Sequence, residues 1–116
     1  MPLEDRDAAY LWDMLQAANE VVEMIGDHDL DSFLRNHILQ RAIERCVEII
    51  GEVARRVSDP GRAATPEIPW REIIGQRNIL AHEYGQIDHE LLYKTAVDDT
   101  PRLIDCLKAL LPPIDQ

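Results

Sequence analysis

Hydrophobic residues recur along the first quarter of the chain at steps of three and four, which is the period of an amphipathic α-helix. The residues that carry this pattern are Leu11, Leu15, Ala18, Val22 and Ile25. The spacing predicts a first helix over residues 5–25. Gly26 directly follows the last of these positions, and glycine commonly ends a helix.

A second hydrophobic seam with the same alternation follows in Leu39, Ile43, Cys46, Ile50, Val53 and Val57. It predicts a second helix over residues 31–57, with Asp29 or Asp31 as its N-cap. Beyond it, glycine and proline interrupt the pattern at Pro60, Gly61, Pro66 and Pro69. We therefore expect a loop of about ten residues before the next helix.

The last third of the chain predicts two further helices. One begins near Trp70 and ends near Tyr84 or Gly85, and Asp88 is a suitable N-cap for the next. The apolar face of that helix continues through Leu91, Leu92, Ala96, Leu103, Ile104, Leu107, Leu110 and Leu111. Pro101 lies within it, so the helix either kinks there or gives way to a new one.

No stretch alternates with a period of two for long enough to indicate a β-sheet. The pattern therefore predicts an all-α fold, a single domain over residues 1–116 built as an up-and-down bundle of four to five helices. The seams of the first two helices are long enough to serve both an internal core and a partner, which predicts a homodimer.

The chain carries a net charge of −10, and this charge is unevenly distributed. Residues 1–31 contain nine acidic residues and one arginine, whereas residues 32–62 contain six arginines and four acidic residues. The overall acidity argues against generic nucleic-acid binding, which depends on lysine and arginine. The acidic first helix has two interpretations, a solvated face or a docking surface for a basic partner.

No apolar run reaches the ~18 residues of a membrane span, and the N-terminal MPLEDRD is acidic where a signal peptide is basic. These features predict a cytoplasmic protein with no membrane association. Cys46 and Cys106 lie within helical apolar patterns and form no close pair of the metal-binding type. We interpret them as buried, reduced thiols.

The stretch RNILAHEYGQID, residues 77–88, places reactive side chains in a helix that otherwise needs only apolar and solvating residues. Arg77 offers a planar cation to a phosphate, and His82 can exchange a proton near neutral pH. Asn78 shares a helix face with His82 and could orient it or bind phosphate. No metal-binding cluster accompanies them, so the residues favour metal-independent cleavage of a phosphodiester and predict no metal or other cofactor.

Helix geometry limits this site, because Arg77 and His82 point about 140° apart around one helix. The arginine must swing round, or two copies of the chain must face each other. A structural interpretation is also open, in which His82 interacts with a helix C-terminus, Arg77 pairs with a glutamate and Tyr84 packs at the surface. The other histidines, His28, His37 and His89, are interpreted as surface residues.

With its neighbours, the stretch resembles the HEPN superfamily, and specifically the HepT-like toxins of prokaryotic toxin–antitoxin pairs. Their signature is Arg, four to six residues and His, often with Asn after the Arg and Tyr two residues after the His. Arg77, Asn78, His82 and Tyr84 match it in order. The resemblance extends to IIGEVARRVS at 49–58, EIPWREIIGQRNILAHEYGQID at 67–88 and DDTPRLIDCLKALL at 98–111.

The resemblance implies a helical bundle that dimerises so that two copies of the motif line one cleft, and a metal-independent endoribonuclease activity. It also implies a nucleotidyltransferase antitoxin that neutralises the toxin by transferring AMP to Tyr84, in a dimer or a larger hetero-oligomer. Arg77, His82 and Asn78 would be the catalytic residues.

The acidity of the chain leaves the capture of RNA to Arg77 and to arginines of the predicted second helix, Arg35, Arg41, Arg45, Arg55 and Arg56. The alternative function is a non-catalytic helical module that binds a nucleotide or a nucleotidyltransferase partner through the same cleft.

Overall fold

The computed structural model describes residues 3–75 and 87–112, and these residues form helices and short connections without a β-strand. The helices are α1 (Asp5–Ile25), α2 (Leu30–Leu34), α3 (His37–Ala54), α4 (Asp59–Ala63), α5 (helical over residues 70–75), α6 (His89–Lys94) and α7 (Thr100–Leu110), with a π-helical turn (Thr95–Asp99) between the last two. The predicted all-α class is confirmed.

The first helix has the predicted bounds, Asp5–Ile25. Gly26 ends it with φ 42°, and its N–H donates to the Val22 carbonyl at 3.1 Å. A positive φ of this kind strains residues that carry a Cβ, so glycine is suited to this position.

The prediction of one continuous helix over residues 31–57 is wrong, because the chain breaks it at Asn36. This residue has φ −118° and is the N-cap of α3, where its Oδ1 accepts from the Leu39 N–H at 3.0 Å. Gln40 Nε2 donates to the Phe33 carbonyl at 2.9 Å and the Leu34 carbonyl at 3.1 Å, so the carbonyls that end α2 are satisfied by a side chain. Asp29 caps α2 as expected and accepts from Ser32 N–H at 2.8 Å.

The loop predicted after the second helix contains a helical turn of its own, α4. Ser58 caps this turn by accepting from the Gly61 N–H at 3.0 Å, and Pro60 lies in its first turn, where a missing N–H is harmless. Asp7 of α1 is buried here and accepts from the Ser58 N–H at 3.0 Å and the Ser58 Oγ at 2.6 Å. The residues between α3 and α5 are therefore tied to the first helix.

The last part of the chain confirms Asp88 as an N-cap, since its Oδ1 accepts from the Leu91 N–H at 3.1 Å. At Pro101 the structure shows no break between α6 and α7: the π-helical turn Thr95–Asp99 joins them, and the backbone at the junctions stays in the αR region. Thr100 Oγ1 donates to the Thr95 carbonyl at 2.8 Å and so satisfies an acceptor within this turn. Pro101 directly follows the turn and has no N–H to donate to a carbonyl of the preceding turn, so the helix is irregular at this point.

Two clusters of buried side chains form the core, and α1 and α3 contribute to both. Cluster 1 joins α1, the second half of α3 and α7 through Leu11, Met14, Leu15, Ala17, Ala18, Ile50, Val53, Ala54, Val57, Ile68, Leu103, Ile104, Leu107 and Leu111. Cluster 2 joins the end of α1, α2, the first half of α3 and α6 through Val21, Ile25, Phe33, Leu39, Ile43, Cys46, Val47, Leu92 and Ala96. These sets contain most of the predicted seams.

Candidate functional site

The four predicted site residues, Arg77, Asn78, His82 and Tyr84, lie outside the described residues, which break off at residue 75 and resume at residue 87. The structure describes the residues on either side of this gap and their contacts with the rest of the chain. We call residues 76–86 the motif segment.

The chain enters the motif segment from α5, which is fixed to cluster 1. Trp70 Nε1 donates to the Thr65 carbonyl at 3.2 Å, and the buried Thr65 donates its Oγ1 to the Gly61 carbonyl at 2.9 Å. One turn further along, Ile73 and Ile74 pack against cluster 1. The helix that precedes the motif segment, α5, is therefore fixed to cluster 1 by aromatic and aliphatic side chains.

The chain leaves the motif segment into α6, which belongs to cluster 2. Ile87 packs against this cluster, and Asp88 caps the helix that follows. His89 Nε2 lies 3.3 Å from Glu44 Oε2, and the same carboxylate oxygen accepts from Arg41 Nη1 at 3.1 Å. The exit is thus held by both apolar and polar contacts.

His89 is half-buried against Glu44, so its interpretation as a surface residue is wrong. Glu44 is 8% exposed although it is charged, and a buried carboxylate needs a partner. The signal available in the sequence was a glutamate next to the apolar seam of α3. His28 is also half-buried and bonds Ser32 Oγ through Nδ1 at 2.7 Å, whereas His37 is exposed as expected.

Described residues on either side of the motif segment lie against α3. Ile73 shares the lining of a cavity of about 50 Å³ with Val47 and Ile50, and His89 bonds Glu44. Glu44 and Ile50 are about 9 Å apart along the helix axis at 1.5 Å per residue. The chain therefore departs from α3 and returns to it within two helical turns.

The arginines that the sequence assigned to RNA capture differ in their surroundings. Arg35 pairs with Asp31 at 2.8 Å, Arg41 with Glu44 at 3.1 Å, and Arg45 with Glu48 at 3.3 Å and Glu52 at 3.7 Å. Arg55 and Arg56 are exposed just beyond the end of α3. The pair of Arg35 with Asp31 is exposed on both sides and weak, so a phosphate could displace this carboxylate, whereas Glu44 is buried. All these carboxylates lower the positive potential of α3 in the free protein.

The two cysteines are free, and they differ in burial. Cys46 is buried in cluster 2, as predicted, and burial together with the nearby Glu20 raises the pKa of its thiol, against an opposing effect of Arg45. Cys106 is only half-buried, with Sγ 3.7 Å from the Glu67 carbonyl. The prediction of burial is therefore wrong in degree for Cys106.

The described residues contain neither a metal-binding cluster nor a membrane-spanning helix. Within residues 3–75 and 87–112, no three histidine, cysteine or acidic side chains lie close enough to hold a metal ion. Over the same ranges, no helix is both long and apolar enough to cross a bilayer.

Comparison with known proteins identifies the family of this chain. The model of the family described as "Ribonuclease HepT-like" matches residues 14–110, which include cluster 2, all of cluster 1 except Leu11 and Leu111, and the whole motif segment. The chain belongs to the HepT-like ribonuclease family. The resemblance seen in the sequence is confirmed, and so is the ribonuclease class that it implied.

Relatives of this family member cover most of its length. "Putative RNase MJ1380" of Methanocaldococcus jannaschii is 41% identical over 95 residues, which are 82% of this chain and 87% of the relative. "Probable ribonuclease HepT" of Thermococcus cleftensis is 35% identical over 94 residues, 81% of this chain and 86% of the relative. "Putative RNase TTE0752" of Caldanaerobacter subterraneus is 30% identical over a region that spans 88% of this chain and 91% of the relative. No solved structure showed a significant match.

Proposed function

We propose that this HepT-like protein is a metal-independent endoribonuclease and the toxin of a cytoplasmic toxin–antitoxin pair. The observation that carries the proposal is the match of residues 14–110 to the ribonuclease family, because this range contains the ordered set Arg77, Asn78, His82 and Tyr84. The packing of α5 against cluster 1 and of α6 in cluster 2 supports it further, since a catalytic site needs supporting elements that are fixed on the core.

The proposed reaction uses the RNA itself as the nucleophile. His82 takes a proton from a 2′-hydroxyl, whose oxygen forms a bond to the neighbouring phosphorus while the bond from phosphorus to the 5′-oxygen breaks. His82 returns a proton to the leaving 5′-oxygen, which gives a 2′,3′-cyclic phosphate and a 5′-hydroxyl end. Arg77 neutralises the extra negative charge on the pentacoordinate phosphorus, and Asn78 orients His82 or a phosphate oxygen.

The proposal includes a homodimer, since Arg77 and His82 point in different directions on one helix. Mixing Arg77→Ala protein with His82→Ala protein tests whether they share a site. If one site takes the arginine from one chain and the histidine from the other, mixed dimers regain one intact site and activity returns. If each chain supplies both residues to its own site, the mixture stays inactive.

Tyr84 is proposed as the acceptor of AMP from a nucleotidyltransferase antitoxin. An attached AMP would place a phosphate and an adenine near the site, where the added negative charge would compete for Arg77 and repel an RNA backbone. Co-expression with the antitoxin should yield protein heavier by one or more AMP units on Tyr84 and devoid of activity. Intact mass spectrometry that finds unmodified Tyr84 in fully neutralised protein would contradict this part of the proposal.

Purified protein incubated with labelled RNA in EDTA tests the central activity. We expect cleavage that leaves 2′,3′-cyclic phosphate ends and is lost in His82→Ala. The matched control is His37→Ala, which removes an exposed histidine from the start of α3 and should cleave like the wild type. Intact RNA at high concentrations of unmodified protein would favour the non-catalytic binding module.

A further inference from the structure

Five large hydrophobic side chains are more than one-third exposed. Among the described residues they are Val22 (37% exposed), Leu30 (37%), Leu34 (38%), Ile38 (84%) and Leu91 (53%). Four of the five fall within residues 22–38, which we call the α2 corner. Leu91 lies on α6, which packs beside this corner through the ring contact of Tyr93 with Phe33 at 5.5 Å. Single exposed hydrophobic residues are common, but such a local concentration is typical of an interaction surface.

The α2 corner is held in a fixed conformation by its buried side. Phe33 is fully buried in cluster 2, and Tyr93 Oη donates to the His28 carbonyl at 2.8 Å. Gln40 closes the end of α2, and Asn36 caps the first turn of α3, in which Ile38 lies. The exposed hydrophobic side chains therefore stand on an ordered backbone, which reduces the entropy lost when a partner binds.

Exposed acidic residues are frequent in the same stretch of the chain. Glu23, Asp27, Asp29 and Asp31 are all exposed, whereas Arg35, the only arginine or lysine in the corner, is bonded to Asp31. At the neighbouring α6, Asp88 and Glu90 are exposed as well, together with one lysine, Lys94. The α2 corner and α6 therefore carry exposed hydrophobic side chains together with six exposed carboxylates, which we call the acidic rim.

From this combination we infer that the α2 corner is a docking surface for another protein that presents an apolar helix face flanked by lysine and arginine. The apolar side chains supply the buried contact, and the carboxylates select the sign of the partner's charge. A second copy of this chain is disfavoured, because it would bring two acidic rims together. RNA is disfavoured because its phosphates would meet the same carboxylates. The inference does not depend on the proposed ribonuclease activity.

The test measures binding of a synthetic probe to the full chain at low ionic strength, where exposed charges act most strongly. The probe is an amphipathic helical peptide with leucines along one face and lysines on both flanks. The control peptide has the same lysines and alanine in place of each leucine, so that it keeps its charge and its helical tendency. We expect the leucine peptide to bind about tenfold or more tightly than the alanine peptide.

Two sets of variants locate the binding site on the protein. Ile38→Ser removes the most exposed hydrophobic side chain and should weaken peptide binding about tenfold. The pair Glu23→Gln and Asp27→Asn should weaken it about fivefold, because two rim charges are lost. The matched pair Asp13→Asn and Asp105→Asn removes two exposed carboxylates elsewhere, on α1 and α7, and should change affinity by less than about twofold.

Three results would overturn the inference. Equal binding of the two peptides would show that only net charge attracts them. Equal losses from the two charge pairs would show that the corner is not the site. If the wild type forms a dimer that Ile38→Ser dissociates, the surface is an interface between two copies of this chain and not a site for a basic partner.

Discussion

Two helices of five residues flank α3, and they serve the fold differently. α2 precedes α3 and α4 follows it, and both begin with a side-chain N-cap, Asp29 in one and Ser58 in the other. Around α4 the polar groups are buried: Asp7 bonds Ser58, and Thr65 bonds the Gly61 carbonyl. Around α2 the charged groups are exposed, and the hydrophobic residues Leu30 and Leu34 are exposed with them.

The difference shows that local capping does not determine how a short helix is used. α4 closes its end of the bundle, because the buried carboxylate of Asp7 on α1 accepts two hydrogen bonds from its N-cap residue, Ser58. α2 is anchored by a single buried aromatic side chain, Phe33, and presents its outer face to solvent. In sequence, the motif segment lies between α5, which packs against cluster 1, and α6, which belongs to cluster 2.

The largest effect is expected from removing the anchor of α2. Phe33→Ala deletes a fully buried aromatic ring from cluster 2 and should lower the free energy of unfolding by about 3–5 kcal/mol. Urea denaturation followed by circular dichroism measures this loss. Leu34→Ala, at the adjacent and exposed position, is the control and should change the free energy of unfolding by about 0.5 kcal/mol or less. Similar losses in both variants would contradict the assignment of Phe33 as the anchor.

The corresponding test at α4 removes the carboxylate of Asp7. Asp7→Ala leaves the N–H and the hydroxyl of Ser58 without their acceptor in a partly buried site, which should cost about 2–3 kcal/mol of unfolding free energy. Asp7→Asn keeps one acceptor oxygen and should lose less. A thermal unfolding curve of Asp7→Ala that matches the wild type would show that the α4 end is closed by apolar contacts alone.

At the same α4 end, a smaller effect is expected from substitution of Gly61. A Cβ at this position would collide with Asp7 Oδ2 and approach Val57 Cγ1 at 3.1 Å. Gly61→Ala should therefore shift the carboxylate and lower the free energy of unfolding by about 1–2 kcal/mol, since overpacking of a buried site is destabilising. Ala63→Ser, an exposed position in the same helix, should be neutral within about 0.5 kcal/mol. Equal midpoints in urea for both variants would show that Asp7 can move aside without cost.

The sequence predicted those elements whose signals are local. The bounds of α1 follow from its apolar period and Gly26, and Asp29 and Asp88 act as the caps that their residue type suggests. The break between α2 and α3 was missed because the apolar period gave no sign of it. It depends on Asn36 and on Gln40, whose side chain bonds backbone carbonyls six and seven residues earlier. The π-helical turn was missed for a similar reason, because the apolar period gave no sign of the irregular turn that precedes α7.

The sequence identified the family, whereas the assignment of the candidate site residues stays a prediction, because they lie outside the described residues. The order Arg77, Asn78, His82, Tyr84 identified the family, which the match over residues 14–110 confirms. Glu44 and His89 were not predicted as partners, because they lie 45 residues apart in sequence and meet only when α6 packs against α3. Contacts of this kind follow from tertiary packing and leave no local pattern.

The different surroundings of Cys46 and Cys106 predict that the two thiols react at different rates. Burial and the nearby Glu20 raise the pKa of Cys46, so that less thiolate is present at a given pH than in an ordinary thiol, and its access is restricted. Cys106, half-buried beside cluster 1, should react first with iodoacetamide at pH 8 in the folded protein, and Cys46 only slowly. Mass spectrometry of timed samples measures both rates. Equal rates in native buffer would show that cluster 2 opens as readily as the surface of cluster 1.

The smallest stability effect is expected at Ile38, the most exposed of the large hydrophobic residues at the α2 corner. Ile38→Ala should change the free energy of unfolding by about 0.5 kcal/mol or less, because the side chain is 84% exposed and loses few contacts. Ile43→Ala, five residues later on the same helix, removes a fully buried side chain and should cost about 2–5 kcal/mol. Urea denaturation of the two variants side by side compares the outer and inner faces of α3. A loss above about 1 kcal/mol for Ile38→Ala, in protein shown to be monomeric, would mean that this side chain is covered within its own chain, and the α2 corner would then resemble the closed α4 end.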